Sequence, residues 1–399
     1  MQEKKHILVL SQYFYPEPFR INDMCMEWVK RGYRVTVLTG IPNYPYGKFY
    51  DGYGFRKNRK ENWNGVEVIR IPLIPRGKSS IGMICNYLSF VVSGFFWNMF
   101  TKIKADYMFM FEVSPMTQAL IGVWYAKKRN IPCYLYVQDL WPENVEIVTG
   151  IHSKLVLGPI GKMVDYIYRR CNKIFATSES FVKEIVKRGV PEEKVEYWPQ
   201  YAEEFYKPCE VDKQTSKEFV ITFTGNIGYA QGLDILPRVA TILKKKGCNV
   251  VFKIVGDGRY KEELIREIEK RDVETMFDMV DRKPAEEIPQ ILAESDATFL
   301  SFMDNPLFAN TIPAKLQSYM ACGMPIIASA TGESKRIIEE AECGVCCKIG
   351  DVDALAEAII SLTQDGETKL EVMGENARQF CDIHFDKKML MDFIDKYFG

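Results

Sequence analysis

The sequence predicts an α/β protein of two doubly wound domains, and three observations carry that prediction. Two series of short apolar runs alternate with amphipathic stretches, which is the rhythm of a parallel sheet covered on both faces. A polar, proline-bearing segment, Pro199–Glu218, separates the two series and suits a linker. The chain has 399 residues, and because domains run ~100–200 residues, two cores fit.

In the first series His6–Ser11 is a strand, and an aromatic, proline-rich loop follows at Tyr13–Pro18. Asn22–Arg31 reads as a helix stopped by Gly32, and Tyr33–Gly40 as the next strand. Val66–Pro72 alternates polar and apolar residues and suits an edge strand. Asp106–Phe111, Pro132–Asp139 and Lys173–Ser178 continue the sheet. The second series has strands at Phe219–Gly225, Val250–Gly258, Ala297–Phe302 and Pro325–Ser329. Its helices fall at Leu233–Lys246, Tyr260–Arg271, Ile288–Ala293 and Lys315–Ala321. Glu375–Gly399 is a terminal amphipathic stretch.

Composition narrows the function. At 47% hydrophobic and 26% charged the chain is ordinary globular protein, and its net charge of −1 lacks the basic excess that phosphate-backbone contacts require, so nucleic acid is not an expected partner. The eleven cysteines have no even framework, which suits small apolar side chains in a reducing compartment. Cys343 and Cys346 have CxxC spacing but no second pair or nearby histidines, so no metal is expected. The run Ile7–Leu10 is too short for a signal peptide, so a cytoplasmic protein is expected. Ile81–Phe100 is nearly uncharged and about as long as a membrane span. The expectation is a helix buried between the sheet and its neighbours. A helix lying peripherally on a membrane surface is the second reading, because Arg76 and Lys78 precede the run, Lys102 and Lys104 follow it, and Tyr87, Phe90, Phe95, Phe96 and Trp97 lie within it.

In an open parallel sheet ligands bind beyond the carboxyl ends of the strands. The turn Thr224–Leu233 ends a strand, contains Gly225 and Gly228 and opens a helix, so its N–H groups can face an anion; it can equally serve packing. Pro313 suits the first turn of a helix that would carry Lys315 towards a phosphate. Glu333, after the strand Pro325–Ser329, either meets sugar hydroxyls or simply favours the start of its helix. In the first half, Gln138, Asp139 and Glu143 come to the carboxyl end of a strand. Asp139 is a candidate site carboxylate or else the cap of the following helix, and Glu112 is a similar candidate after Asp106–Phe111.

The run PAKLQSYMACGMPIIAS, with GES and EEAECGV after it, resembles the donor segment of retaining glycosyltransferases of family 4, which have the GT-B fold. TGNIGYAQGLD and GDVDALAEAI resemble that family's phosphate loop and late helix, and QYFYPEPFRIND, GIPNYPYGK and QDLWPEN resemble the branch that builds bacterial surface polysaccharides, including colanic-acid-type and O-antigen fucosamine transferases. The resemblance implies two Rossmann-like domains facing a cleft: an acceptor domain over 1–200, a donor domain over 201–378, and a C-terminal helix over 379–399 crossing back to the first domain. It implies a nucleotide sugar, UDP-linked, as substrate with no further cofactor, and the aromatic stretch Ile81–Phe100 motivates a polyprenyl-diphosphate-linked saccharide as acceptor at the cytoplasmic face of the membrane. It places the donor among Gly225, Asn226, Ile227, Gly228, Gln231, Gly256, Arg282, Lys283, Asn310, Thr311, Ser318 and Glu333, with Lys315 on the diphosphate. The acceptor side falls to Tyr15, Pro16, Glu17, Arg20, Asn43, Tyr44, Gln138, Trp141 and Glu143, with Asp139 and Glu112 as catalytic candidates.

This chain departs from the family pattern. Asn226 and Gln231 stand where the family often has arginine and lysine, Asn310 and Ser318 stand where it often has glutamates, and Gln138 matches a frequent histidine. The phosphate charge therefore falls on Lys315 and helix dipoles. A nucleotide-sugar 2-epimerase and a non-catalytic nucleotide-sugar-binding relative are the alternatives.

Overall fold

The computed structural model describes residues 4–77, 79–150, 152–211, 218–364 and 366–399. Lys78, Met1–Glu3 and residues 212–217 of the predicted linker lie outside the described residues. The chain divides into two units, residues 1–198 with 398–399, and residues 199–397.

Unit 1 contains β1 (His6–Leu10), α1 (Arg20–Lys30), β2 (Arg34–Gly40), β3 (Lys60–Trp63), β4 (Val66–Ile71), α2 (Ser80–Phe100), β5 (Tyr107–Glu112), α3 (Ala119–Arg129), β6 (Cys133–Val137), α4 (Glu143–Thr149), α5 (Lys154–Arg170), β7 (Lys173–Ala176), α6 (Glu179–Lys187) and β8 (Val195–Tyr197). Its sheet runs β3-β4-β2-β1-β5-β6-β7-β8. All pairings are parallel except β3 with β4. The central strand β1 is buried at every position, as a strand covered on both faces must be, and reads as an unbroken apolar run. Val66–Pro72, expected at the edge, is internal instead. Asn64 and Gly65, with φ of 49° and 84°, make the two-residue turn of a hairpin, and β3 folds back to cover β4. Phe398 belongs to this unit and meets Trp28, Tyr33, Tyr107, Phe109 and Tyr134 in an aromatic cluster.

The second correction concerns α2. Only Asn86, Phe90, Gly94 and Asn98 are buried, one residue per turn, so this helix rests on unit 1 along a narrow stripe and is not enclosed.

Unit 2 contains β9 (Phe219–Asn226), α7 (Ile235–Lys245), β10 (Val250–Asp257), α8 (Lys261–Lys270), β11 (Phe277–Val280), α9 (Ile288–Ala293), β12 (Ala297–Ser301), α10 (Pro306–Ala309), α11 (Ala314–Ala321), β13 (Ile326–Ser329), α12 (Gly332–Glu340), β14 (Gly344–Cys347), α13 (Val352–Gln364), α14 (Glu367–His384) and α15 (Lys387–Asp395). The sheet runs β11-β10-β9-β12-β13-β14 and is parallel throughout. Strand order reverses beside β9, so α7 and α11 leave neighbouring strands at the place where an open sheet holds ligands. The terminal amphipathic stretch forms two helices, because Phe385 ends α14 and Asp386 caps α15 by accepting the Met389 N–H at 2.7 Å.

Candidate active site

Lys315 lies in the first turn of α11, and Pro313 is the cap residue just before that turn and not its first helical residue. The lysine's Nζ donates to Gln231 Oε1 and sits 3.9 Å from the centroid of the Phe223 ring. Phe223 belongs to the buried face of β9, and burial lowers the Lys315 pKa to about 7. At the end of the same strand Gly225 has a φ of 132°, which favours glycine, and it lies beside the ammonium: a Cβ there would be in ordinary contact with Nζ at 3.7 Å. Gly256, its register partner on β10, must be glycine, because a Cβ would collide with the Gly225 carbonyl.

The turn after β9 is held from several sides. Ser301 Oγ, at the end of β12, donates to the Gln231 carbonyl at 2.5 Å, and Met303 N–H donates to the Ala230 carbonyl at 3.1 Å. Tyr319 OH accepts the Thr224 N–H at 2.9 Å. Ile227 is buried and its N–H donates to the Asp257 carbonyl at 2.8 Å, so it packs beneath the turn. Asn226 is exposed at the end of β9. Gly225, Gly228, Gln231, Gly256 and Lys315 are therefore brought together.

The other donor candidates spread further. Asn310 and Thr311 follow α10, and Thr311 approaches the start of α12 through Ser334 Oγ, 3.5 Å from its carbonyl. Glu333 is buried in the first turn of α12 and accepts Arg336 Nη2 at 2.9 Å. Ser318 donates to the Ala314 carbonyl of its own helix at 3.1 Å. Arg282 and Lys283 are exposed beyond β11, the edge strand of the sheet, whereas Lys315 is buried beside β9. Asp351 accepts the Ala354 N–H at 3.0 Å at the start of α13, the place of a helix cap.

In unit 1 a cavity of about 510 Å³ lies at the carboxyl ends of β1, β5 and β6. Tyr13, Val113 and Asp139 line it from the sheet, α2 contributes Met83, Ile84, Tyr87 and Leu88, and α5 contributes Val156, Ile160 and Met163. Asp139, Tyr44 and Trp141 are the candidates that reach it. Asp139 does not cap α4. Its Oδ2 accepts the Ser114 N–H at 2.7 Å, while Ser114 Oγ accepts from Trp141 Nε1 at 3.0 Å and Asn144 Nδ2 at 2.6 Å. Burial raises the Asp139 pKa against those hydrogen bonds.

Glu112 sits below this layer, fully buried, and neither of its carboxylate oxygens has a hydrogen-bond partner. Burial first, then the charge of Asp139, raises its pKa well above the usual carboxylate range against the nearby backbone N–H groups of Asp139 and Gln138, and it does not line the cavity.

Glu17 and Asn43, expected to face an acceptor, are structural. Glu17 Oε1 accepts the Asn43 and Tyr44 N–H groups at 2.8 and 2.7 Å, and burial raises its pKa to about 7. Asn43 Oδ1 accepts the Arg76 N–H at 3.0 Å. Tyr15 stacks on Trp63 with centroids 4.6 Å apart, and Pro16 follows it across a cis peptide bond. Arg20 begins α1, Gln138 is buried and its N–H donates to the Glu112 carbonyl at 2.8 Å, and Glu143 lies 3.9 Å from Arg188 Nη1. The cavity walls from α2 and α5 escaped sequence reasoning. Their signal, an apolar run with no obvious burial face, was legible, but its direction was not.

Two doubly wound α/β units, one carrying a buried lysine beside a glycine turn at the carboxyl edge of its sheet, define the GT-B class of proteins. The family described as Glycosyl transferases group 1 matches residues 210–380, and the one described as Glycosyl transferase 4-like domain matches residues 19–200. The chain belongs to the glycosyltransferases built from these two domains. It is 22% identical over 244 residues to the putative colanic acid biosynthesis glycosyltransferase WcaL of Escherichia coli, a match that covers 60% of this chain and 59% of that protein. Sucrose-phosphate synthase of Thermosynechococcus elongatus shares the fold with a TM-score of 0.77 at 14% identity, over 99% of this chain and 98% of that one. Anabaena Alr3699/HepE, solved in complex with UDP and glucose, does so with a TM-score of 0.71 at 16% identity, over 99% of each chain.

Proposed function

We propose that the chain transfers a sugar from a nucleoside-diphosphate sugar, UDP-linked, to a lipid-linked saccharide during surface-polysaccharide assembly, with retention at the anomeric carbon. The observation that carries this is the buried Lys315 ammonium position beside the Gly225 turn. The hard event in such a transfer is departure of the nucleoside diphosphate, and a lysine with a helix start stabilises its developing charge. The UDP bound by HepE and the colanic-acid role in the WcaL name support the donor and the pathway. The apolar cavity of unit 1, with Asp139 and Trp141 in its wall, supports an acceptor that brings hydrocarbon as well as hydroxyls. The protein works in the cytoplasm at the inner face of the membrane, without a resident metal.

A thermal-shift screen of nucleotide sugars tests the donor, since a ligand that binds only the folded chain raises its melting temperature. The expected hit is a UDP-sugar, and transfer to a polyprenyl-diphosphate saccharide should persist in EDTA. Epimerised sugar nucleotide formed from donor alone would overturn transfer in favour of isomerisation.

A further inference from the structure

One face of unit 1 is apolar and basic at its margins. On α2, Ile81 (75% exposed), Ile84, Leu88, Val92, Phe96 and Phe100 (73%) face solvent. The first turn of α5 adds Leu155, 89% exposed, and Val156. Patches of this kind on a soluble domain mark an interaction surface.

Among the described residues α2 is also the helix long and apolar enough to cross a membrane by length and composition, yet it is fastened to unit 1 at both ends. Asn86 Nδ2 donates to the Ile74 carbonyl at 2.6 Å, and Gln12 Nε2 donates to Asn86 Oδ1 at 2.7 Å. At the far end Lys128 Nζ donates to the Asn98 carbonyl at 2.7 Å, and Arg129 Nη2 to the Thr101 carbonyl at 2.7 Å. A spanning helix would have to leave these partners, whereas a helix lying in the plane of an interface keeps them.

The charge pattern selects the occupant. Residues 74–105 hold Arg76, Lys78, Lys102 and Lys104 and no acid, and residues 150–164 hold Lys154 and Lys162 and no acid. A second copy presenting the same face would set cation against cation, whereas an anionic lipid surface complements both the cations and the apolar stripe. The face also continues into the cavity, because Ile84, Leu88 and Val156 are exposed and line the cavity wall.

We infer that this face docks on an anionic lipid bilayer, with α2 lying along the interface and the cavity of unit 1 opening at the hydrocarbon boundary. The purpose of such docking rests on the lipid-linked acceptor proposed above. The test does not. The full chain is floated with vesicles of phosphatidylcholine alone and of phosphatidylcholine with phosphatidylglycerol, beside the double variant Ile81→Ser/Phe100→Ser, neither of whose side chains lines the cavity. The wild-type chain should float with the anionic vesicles and not the neutral ones, and the variant should partition at least about tenfold more weakly, from the loss of two buried apolar side chains. Equal partitioning by the variant, no binding to anionic vesicles, or a change in the variant from dimer to monomer would each overturn the inference, the last by assigning the face to a second copy. UDP-sugar thermal shifts on the same preparations keep the two readings apart. A chain that binds donor but ignores vesicles loses the docking surface alone, and one that floats but binds no donor loses the transferase reading alone.

Discussion

Lys315 Nζ donates its hydrogen bond to Gln231 Oε1, so the cation of this site is paired with a neutral amide in a buried setting. A carboxylate partner would hold the lysine charged whether or not a ligand is present. The amide leaves it poised, with a pKa lowered to about 7 by burial.

Donor binding should therefore be coupled to proton uptake. Above pH 7 the empty site favours the neutral amine, while a diphosphate beside it favours the ammonium, so UDP-sugar affinity should fall between pH 7 and 8.5 by up to about tenfold per unit. Calorimetry in buffers of different ionisation enthalpy measures the uptake directly, and Lys315→Met should abolish it. Affinity that is flat with pH in the wild-type chain removes Lys315 from the phosphate site.

Gly256→Ala should damage the same turn without touching a charge. The new methyl collides with the Gly225 carbonyl, and forcing a packed backbone apart costs about 1–3 kcal/mol. A fall in denaturant midpoint together with weaker donor binding is expected. Unchanged stability would mean that the turn can shift freely.

Asp139→Asn should separate the two substrates. The side chain lines the cavity of unit 1, and its Oδ2 accepts the Ser114 N–H. UDP-sugar binding should stay within a factor of about two, while kcat/KM for the acceptor falls at least about tenfold, the scale of one charge-assisted contact. Equal kinetics for the two proteins would leave Asp139 as a structural residue.

Glu17 predicts a pH-dependent stability of opposite sense to the usual carboxylate. Its folded value of about 7 lies above the free value of 4.5, so the unfolded chain releases this proton first. The contribution is full below about pH 4.5 and is lost as pH rises to about 7, up to about 3 kcal/mol. Glu17→Gln keeps an acceptor for the Asn43 and Tyr44 N–H groups and should flatten this part of the profile. Urea midpoints of both chains across that window decide it.

By itself the sequence determined the parallel α/β architecture and the position of Lys315 behind a strand and loop. These are local properties, written in runs such as His6–Leu10 and in the glycines and prolines that interrupt them. The Asn64-Gly65 hairpin that moves β4 off the edge was not anticipated, although Asn-Gly is a local turn signal. Only the tertiary structure decided which polar groups meet. Gln231 and Lys315 are 84 positions apart and Glu17 and Asn43 are 26 apart, and no periodicity carries information over such separations. The same holds for α2, whose uniformly apolar sequence left its contact face open. The alignment of Asn86, Phe90, Gly94 and Asn98 on unit 1 chose that face, because the small Gly94 admits Ile121 and the Asn86 amide bonds Gln12 and the Ile74 carbonyl there.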